Sequence, residues 1–175
     1  IPIVYQRLVY AFTVKDTLQI IKLSAELGHY VADAHVPLHT SSNYDGQKTG
    51  QGGLHSFWES RIPEILGNRL DQFSGPASFI TNVQNSAWTW VLASHKQLPL
   101  LFSMATQINA SLKESEKYSF EQKGQTLVKT PSLKFSLAYH KALNGQIESR
   151  FKAAVQHVGD LWYSAWLTAG QPSFE

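Results

Sequence analysis

Two histidine–carboxylate pairs with the same spacing stand out in the first sixty residues of this chain. Asp33 lies four residues after His29, and Glu59 lies four residues after His55. Residues four apart share one face of a helix, with their Cβ atoms about 5–6 Å apart. Each pair can therefore direct two ligand atoms at one metal ion.

A third histidine joins these pairs. His39 follows Pro37, which is expected to end the helix that carries His29 and Asp33 and let the chain fold back towards the same centre. Imidazole nitrogens with carboxylate oxygens are the ligands of catalytic zinc, and the chain has no cysteine for a zinc finger. One pair alone could be a solvated surface contact, but two pairs and His39 between residues 29 and 59 favour a zinc site.

The composition indicates a folded domain. The 175 residues are 43% hydrophobic and 16% charged, which excludes a disordered chain and predicts one domain, 1–175. The formal net charge of +2 is too small to indicate a nucleic-acid or membrane partner by itself. No apolar run approaches the roughly 20 residues of a membrane span, so no transmembrane segment is expected. The composition does not predict an oligomeric state.

The spacing of apolar residues predicts an all-α fold without strands. Asp16 or Thr13 is expected to cap the second helix. The predicted helices cover residues 1–12, 17–34, a short stretch from 54 through 59, 77–97, 100–117 and 132–169. The predicted connecting segments are residues 40–53, residues 63–73, where a helical turn can form, and residues 118–131.

The other polar candidates are assigned structural roles. On a helix, His35 points about 200° away from Asp33, so it is expected to be structural or to orient a ligand. Asp45 and Asn43 are expected to act in turns. The pairs of di-iron bundles and the H-E-x-x-H motif are absent, which disfavours a ferritin-like oxidase or a metalloprotease. The histidines without a partner at ligand spacing are His95, His140 and His157. The tryptophans expected to pack in the core are Trp58, Trp88, Trp90, Trp162 and Trp166.

The order H-x3-D-x5-H followed by H-x3-E resembles the pattern of the zinc-dependent phospholipase C and single-strand-specific nuclease superfamily. The segments HYVADAHVPLH and LHSFWES carry it here, and the tail GDLWYSAWLTAGQP is similar to the end of bacterial members. The resemblance covers most of the chain. It implies a compact multi-helix bundle with up to three zinc ions in a cleft, and a secreted or periplasmic location.

The resemblance also implies an activity and a role for each ligand. It implies a zinc-dependent hydrolase of phosphodiester bonds, with metal-bound hydroxide attacking phosphorus in single-stranded nucleic acid or phospholipid. His29 and Asp33 would ligate one zinc of a close pair, and Asp33 would bridge to the second as the catalytic residue. His39, His55 and Glu59 would hold the remaining zinc.

The chain departs from the family pattern before residue 29. The family's other ligands are an N-terminal tryptophan, two histidines and an aspartate from preceding segments, whereas Ile1 opens this sequence and residues 1–28 contain no histidine. The chain is therefore expected to match the C-terminal two-thirds of a zinc-dependent phosphoesterase domain, without its signal peptide. Only the three-ligand site is then complete, and these residues alone should show little activity. A non-catalytic helical domain with one structural zinc is the alternative hypothesis.

Overall fold

The chain folds mostly into helices, with one small hairpin. The computed structural model describes residues 1–67, 70 and 73–174. Its elements are α1 (Pro2–Thr13), α2 (Thr17–Ala34), a 3₁₀ turn (Pro37–Thr40), α3 (Leu54–Ser56), a π-helical turn (Phe57–Arg61), α4 (Ile62–Leu66), α5 (Val83–His95), α6 (Leu98–Ser111), α7 (Glu114–Lys117), β1 (Tyr118–Lys123), β2 (Thr126–Pro131), α8 (Leu133–Ala142) and α9 (Gln146–Thr168).

Helix α2, which carries the first predicted ligand pair, has the bounds that the sequence predicts. Asp16 is its N-cap, because the Asp16 carboxylate accepts a hydrogen bond of 3.0 Å from the backbone N–H of Gln19. The Thr13 hydroxyl instead donates to the carbonyl of Val9 within α1. The cap at Asp16 therefore sets the start of α2, and the start of the helix determines which face His29 and Asp33 occupy.

Two clusters of buried apolar side chains stabilise the fold, and the long helix α9 contributes to both. Its 23 residues extend about 34 Å, enough to pass along both clusters. The first core joins α1, α2, α5 and the second half of α9, and includes Leu8, Leu27, Val31, Trp90 and Leu161. The second core joins α3, the π-helical turn, α4, α6, α8 and the start of α9, and includes Phe57, Ile62, Leu101, Tyr139 and Ile147.

The segment 118–131 corrects the prediction of an all-α chain. It was expected to be a loop, but β1 and β2 pair there as an antiparallel hairpin, with Phe120 opposite Lys129. Gly124 has φ +61°, a conformation that glycine adopts easily and that a tight hairpin turn requires. The alternation of apolar and polar residues in these strands is too weak to predict a sheet without its contacts.

The predicted helix over 77–97 begins late, at Val83. Asn82 caps it by accepting a hydrogen bond from the third residue of the helix. The preceding residues are held extended by α9, where the Asp160 carboxylate accepts a hydrogen bond of 2.7 Å from the backbone N–H of Ser78. A long-range hydrogen bond therefore replaces the helical one that local periodicity predicts.

Two other long segments, each predicted to be one helix, form two helices in the structure. The segment 132–169 breaks at Asn144 and Gly145, which both have positive φ, and this turn separates α8 from α9. The segment 100–117 breaks where Leu112 adopts an extended conformation after α6. The predicted connection 63–73 begins inside α4, and part of it lies outside the described residues.

The predicted burial of the tryptophans is correct for only some of them. Trp58 and Trp90 are buried in the second and first cores. Trp88 and Trp162 are exposed, so the expectation of core packing is wrong for both. In the parts of the chain that the structure describes, no helix has the length and apolar character needed to cross a bilayer.

Candidate metal centre

Three predicted ligands bring one donor atom each to a common point. Nε2 of His39 lies 2.8 Å from Nε2 of His55, and Oε2 of Glu59 lies 2.7 Å from Nε2 of His55 and 3.4 Å from Nε2 of His39. All three atoms lie within 4.8 Å of one another, close enough to hold one metal ion. We call these three residues the triad.

The geometry and chemistry of the triad fit zinc. Donors of a tetrahedral zinc site lie roughly 3.3 Å apart, since each is about 2.0–2.2 Å from the metal. The separation of 3.4 Å between His39 and Glu59 matches this value, and the two shorter separations would need to open by about half an ångström. Two imidazoles and one carboxylate, without thiolate, are a donor set that suits zinc.

A rigid turn after α2 positions His39. Pro37 is the first residue of the 3₁₀ turn and keeps the residue before it extended, which ends the helix as predicted. The Thr40 hydroxyl donates to the carbonyl of Pro37 at 2.6 Å and lies 3.1 Å from Nδ1 of His95 in α5. His95, which the sequence analysis assigned no role, therefore holds the turn that carries a triad residue.

The loop before α3 positions His55. The Asp45 carboxylate accepts hydrogen bonds from the backbone N–H groups of Gly53 at 2.9 Å and of His55 at 3.2 Å. The predicted turn role of Asp45 is thus confirmed, and the turn orients the start of a ligand-bearing helix. Gly46 permits the close approach inside this loop, because a Cβ there would lie 2.5 Å from the carbonyl oxygen of Gln51.

A π-helical turn positions Glu59. Such turns insert one residue into a helix and change the direction in which the following side chains point, often at functional sites. Its neighbour Trp58 is buried, and the indole N–H donates to the Gln146 side chain of α9 at 3.0 Å. This anchor leaves Glu59 at the surface. Neither the π-helical turn nor the role of Gln146 can be predicted from residue spacing.

The other predicted ligand pair, His29 and Asp33, contacts the triad through His39. Nε2 of His29 lies 3.5 Å from Oδ2 of Asp33, and Oδ1 of Asp33 lies 3.4 Å from Nδ1 of His39. The structure therefore brings all five predicted ligands into one series of contacts. Within the described ranges, no third histidine or acid joins His29 and Asp33 to form a second group of three. The bridging role of Asp33 stays a prediction.

A groove of about 680 Å³ lies beside the triad, with Glu59 in its lining. Glu59 and Trp58 border the groove on one side, and Arg150 and Phe151 of α9 border it on the other. Burial lowers the pKa of Arg150, but an arginine side chain stays charged in proteins. The other side chains that line the groove are mostly apolar, and the Arg150 guanidinium brings a positive charge to it.

Two histidines outside the ligand set form a buried contact. His35 is only 2% exposed, and its Nδ1 and Nε2 lie 2.7 Å from the carbonyl oxygen of Val31 and 2.8 Å from Nδ1 of His157. The His157 ring stacks on Trp90 with the ring centres 4.3 Å apart. Burial lowers the pKa of His35 to about 4 and also lowers the pKa of His157. The structure thus gives His35 a packing role, and gives His157 a partner that chain spacing does not reveal.

Comparisons with protein-family models, with curated proteins and with solved structures find no match for this chain. The family resemblance therefore stays a prediction from the sequence, carried by the order and spacing of the five predicted ligands and by the C-terminal segment.

Proposed function

We propose that this chain carries the metal centre of a zinc-dependent hydrolase of phosphodiester bonds, acting on single-stranded nucleic acid or on phospholipid. The observation that carries the proposal is the convergence of the triad, the three residues that the family resemblance implies hold one zinc ion. The ligand order of the superfamily supports the reaction class. The same resemblance supports a secreted or periplasmic location and one domain over residues 1–175.

The number of ligands and their exposure favour a catalytic role over a structural one. Structural zinc sites are closed by four protein ligands, whereas catalytic sites have three and leave a position for water or substrate. The triad supplies three, and its side chains are partly exposed, at 26% for His39, 30% for His55 and 40% for Glu59. A substrate phosphate can therefore reach the donor atoms from solvent.

The residues of the site would have different roles in such a reaction. When bound, zinc lowers the pKa of a coordinated water to about 7 and offsets negative charge on phosphoryl oxygens. His39, His55 and Glu59 hold and orient the ion. Arg150 borders the adjoining groove with Glu59, where its guanidinium can bind a phosphate oxygen through charge-assisted hydrogen bonds. The apolar groove walls can exclude water around the less polar part of a substrate.

The test compares two substrates under matched metal conditions. The protein, as its gene encodes it, would be assayed on single-stranded DNA and on phosphatidylcholine vesicles, with zinc and with chelator. We expect zinc-dependent hydrolysis of one substrate, and its loss in His55→Ala. The matched control is His140→Ala, because His140 pairs with Glu148 away from the triad.

The outcomes separate the competing hypotheses. Stoichiometric zinc binding without hydrolysis of either substrate would favour the non-catalytic helical domain with one structural zinc. Zinc binding that His39→Ala, His55→Ala and Glu59→Gln all leave unchanged would show that the site is elsewhere.

A further inference from the structure

An apolar strip of α9 forms one wall of the groove beside the triad. The α9 residues that line the groove recur every three or four positions, so they share one face of the helix. From Arg150 to Trp162 this face extends about 18 Å. The α9 residues that line the groove between these two are Phe151, Ala154, Val155, Val158 and Gly159. The wall is therefore a long apolar strip with one charged residue towards one end.

The strip is accessible to a ligand. Val155 and Trp162 are both exposed, although each has a large apolar side chain. The Trp162 ring is held in place, because its indole N–H donates to the carbonyl of Ser24 in α2 at 3.2 Å. Contiguous exposed apolar surface in a groove marks a binding site. A ligand can therefore contact the strip without a rearrangement of α9.

Arg150 is the residue of the groove that can recognise a charged ligand. One of its terminal nitrogens donates to the Ser94 hydroxyl at 3.3 Å, and no carboxylate of the described residues pairs with it. Its nitrogens without a partner are open to solvent and are not sealed in the interior. The other ionisable residues of the lining are occupied, because both ring nitrogens of His35 have partners and Glu59 belongs to the triad. The free donors of the guanidinium fork match the oxygens of a phosphate.

We infer that the groove is a binding site for a single-chain lipid phosphate, with its head group on Arg150 and its alkyl chain along α9 towards Trp162. The inference goes beyond the proposed function, since neither contact needs a metal ion. The positive charge at one end of an apolar strip is complementary to an anionic head group on a hydrocarbon chain. A nucleobase in the same place would leave most donors and acceptors of its edge without partners, which costs free energy.

The test measures binding of dodecyl phosphate to the protein by calorimetry, with chelator and below the concentration at which this compound forms micelles. We expect one molecule bound per chain, and binding about tenfold weaker for each two methylene groups removed from the alkyl chain. Inorganic phosphate alone and the cationic dodecyltrimethylammonium should both bind much more weakly. Each of these two probes lacks one half of the recognised chemistry.

Two variants test the two halves of the site separately. Arg150→Gln should weaken binding of dodecyl phosphate about tenfold through loss of charge-assisted hydrogen bonds, and Lys141→Gln, at an exposed position of α8 outside the lining, is its control. Gly159→Leu should block the path of the alkyl chain. A Cβ at Gly159 meets no atom within 4 Å, so the larger side chain fits without a clash, and Gly159→Ala is its matched control.

Three results would each overturn the inference. They are equal affinity for the anionic and cationic probes, affinity for dodecyl phosphate unchanged in both Arg150→Gln and Gly159→Leu, and binding of many molecules per chain without saturation at one. Urea unfolding of each variant establishes that the fold is intact. Because these measurements contain chelator, failure of this site is distinguishable from failure of the proposed function, which zinc binding and hydrolysis test.

Discussion

Nε2 of His35 and Nδ1 of His157 lie 2.8 Å apart in the protein interior and join the end of α2 to α9. The His157 ring also stacks on Trp90 of α5, so three helices meet at this contact. Burial lowers the pKa of both histidines, and each is therefore neutral at neutral pH. Protonating the buried His35 ring should therefore cost stability.

The first prediction concerns acid stability. The pKa of His35 falls from 6.5 in the unfolded chain to about 4 in the fold, so below pH 6.5 the unfolded state binds the proton first. Stability present at neutral pH is therefore lost progressively as the pH falls towards 4, by roughly 3 kcal/mol from His35, given 1.36 kcal/mol per pKa unit. Urea unfolding with chelator between pH 7.5 and 4.5 would measure this loss.

Two variants test the origin of that acid sensitivity. His35→Gln should lower stability at pH 7.5 but reduce its dependence on pH, because the titrating ring is gone. Gln19→Ala is the control, since this exposed position of α2 has no ionisable side chain and the change should leave the pH dependence as it is. An unfolding free energy that is constant from pH 7 to 5 in the wild type would contradict the account.

The second prediction concerns addition and removal of metal. Zinc should raise the unfolding temperature of this chain, because a ligand that binds the folded state stabilises it by about 2.7 kcal/mol at 100 times its dissociation constant. Chelator should reverse the effect, and Mg²⁺ or Ca²⁺ at equal concentration should not reproduce it, since these ions prefer all-oxygen ligands. A larger shift with Mg²⁺ than with zinc would show that the donor set has been misjudged.

The third prediction concerns Glu59 as a metal ligand. Glu59→Gln removes a donor charge from the triad, so zinc affinity should fall by more than the roughly 10–100-fold expected for loss of an orienting carboxylate. Glu64→Gln, at an exposed position of α4, is the matched control and should bind zinc as the wild type does. Calorimetry of the two variants side by side gives the comparison. Equal affinities would remove Glu59 from the site.

Local signals explain which features the sequence predicted. The four-residue spacing of His55 and Glu59 and the break at Pro37 depend on neighbours along the chain, and the convergence of the triad follows from them. The cap at Asp16 is equally local, and the bounds of α2 were predicted correctly.

The features that sequence analysis missed depend on contacts across the fold. Residues before Val83 are extended because Asp160, far along the chain, accepts the hydrogen bond of Ser78. His157 contacts His35 although the two residues are far apart in the chain, so this contact also depends on the tertiary fold. Spacing also gave no indication that Asp33 faces Nδ1 of His39, since the orientation of a ring depends on the turn that carries it.

The last prediction concerns the hairpin, which the sequence did not predict, and its contact with the π-helical turn. Arg61, in the π-helical turn that carries Glu59, donates through both terminal nitrogens to the Glu121 carboxylate of β1. This bidentate pair is partly exposed, with 18% and 36% of the two side chains accessible, so we expect a coupling of only about 1 kcal/mol. Its larger consequence should be local, because it attaches the hairpin to the turn that carries Glu59 of the candidate metal centre.

Variants of this pair should loosen the hairpin and leave most of the fold intact. In Glu121→Gln, the amide protons of β1 and β2 should exchange faster, whereas those of α2 and α9 should keep their protection. A double-mutant cycle with Arg61→Lys, read from urea unfolding, would give the coupling energy, and Lys134→Met is the control because its partner Glu116 lies outside the hairpin. Zinc affinity should fall slightly in Glu121→Gln, as the π-helical turn becomes less constrained. Unchanged exchange in both strands would show that strand pairing alone holds the hairpin, without help from Arg61.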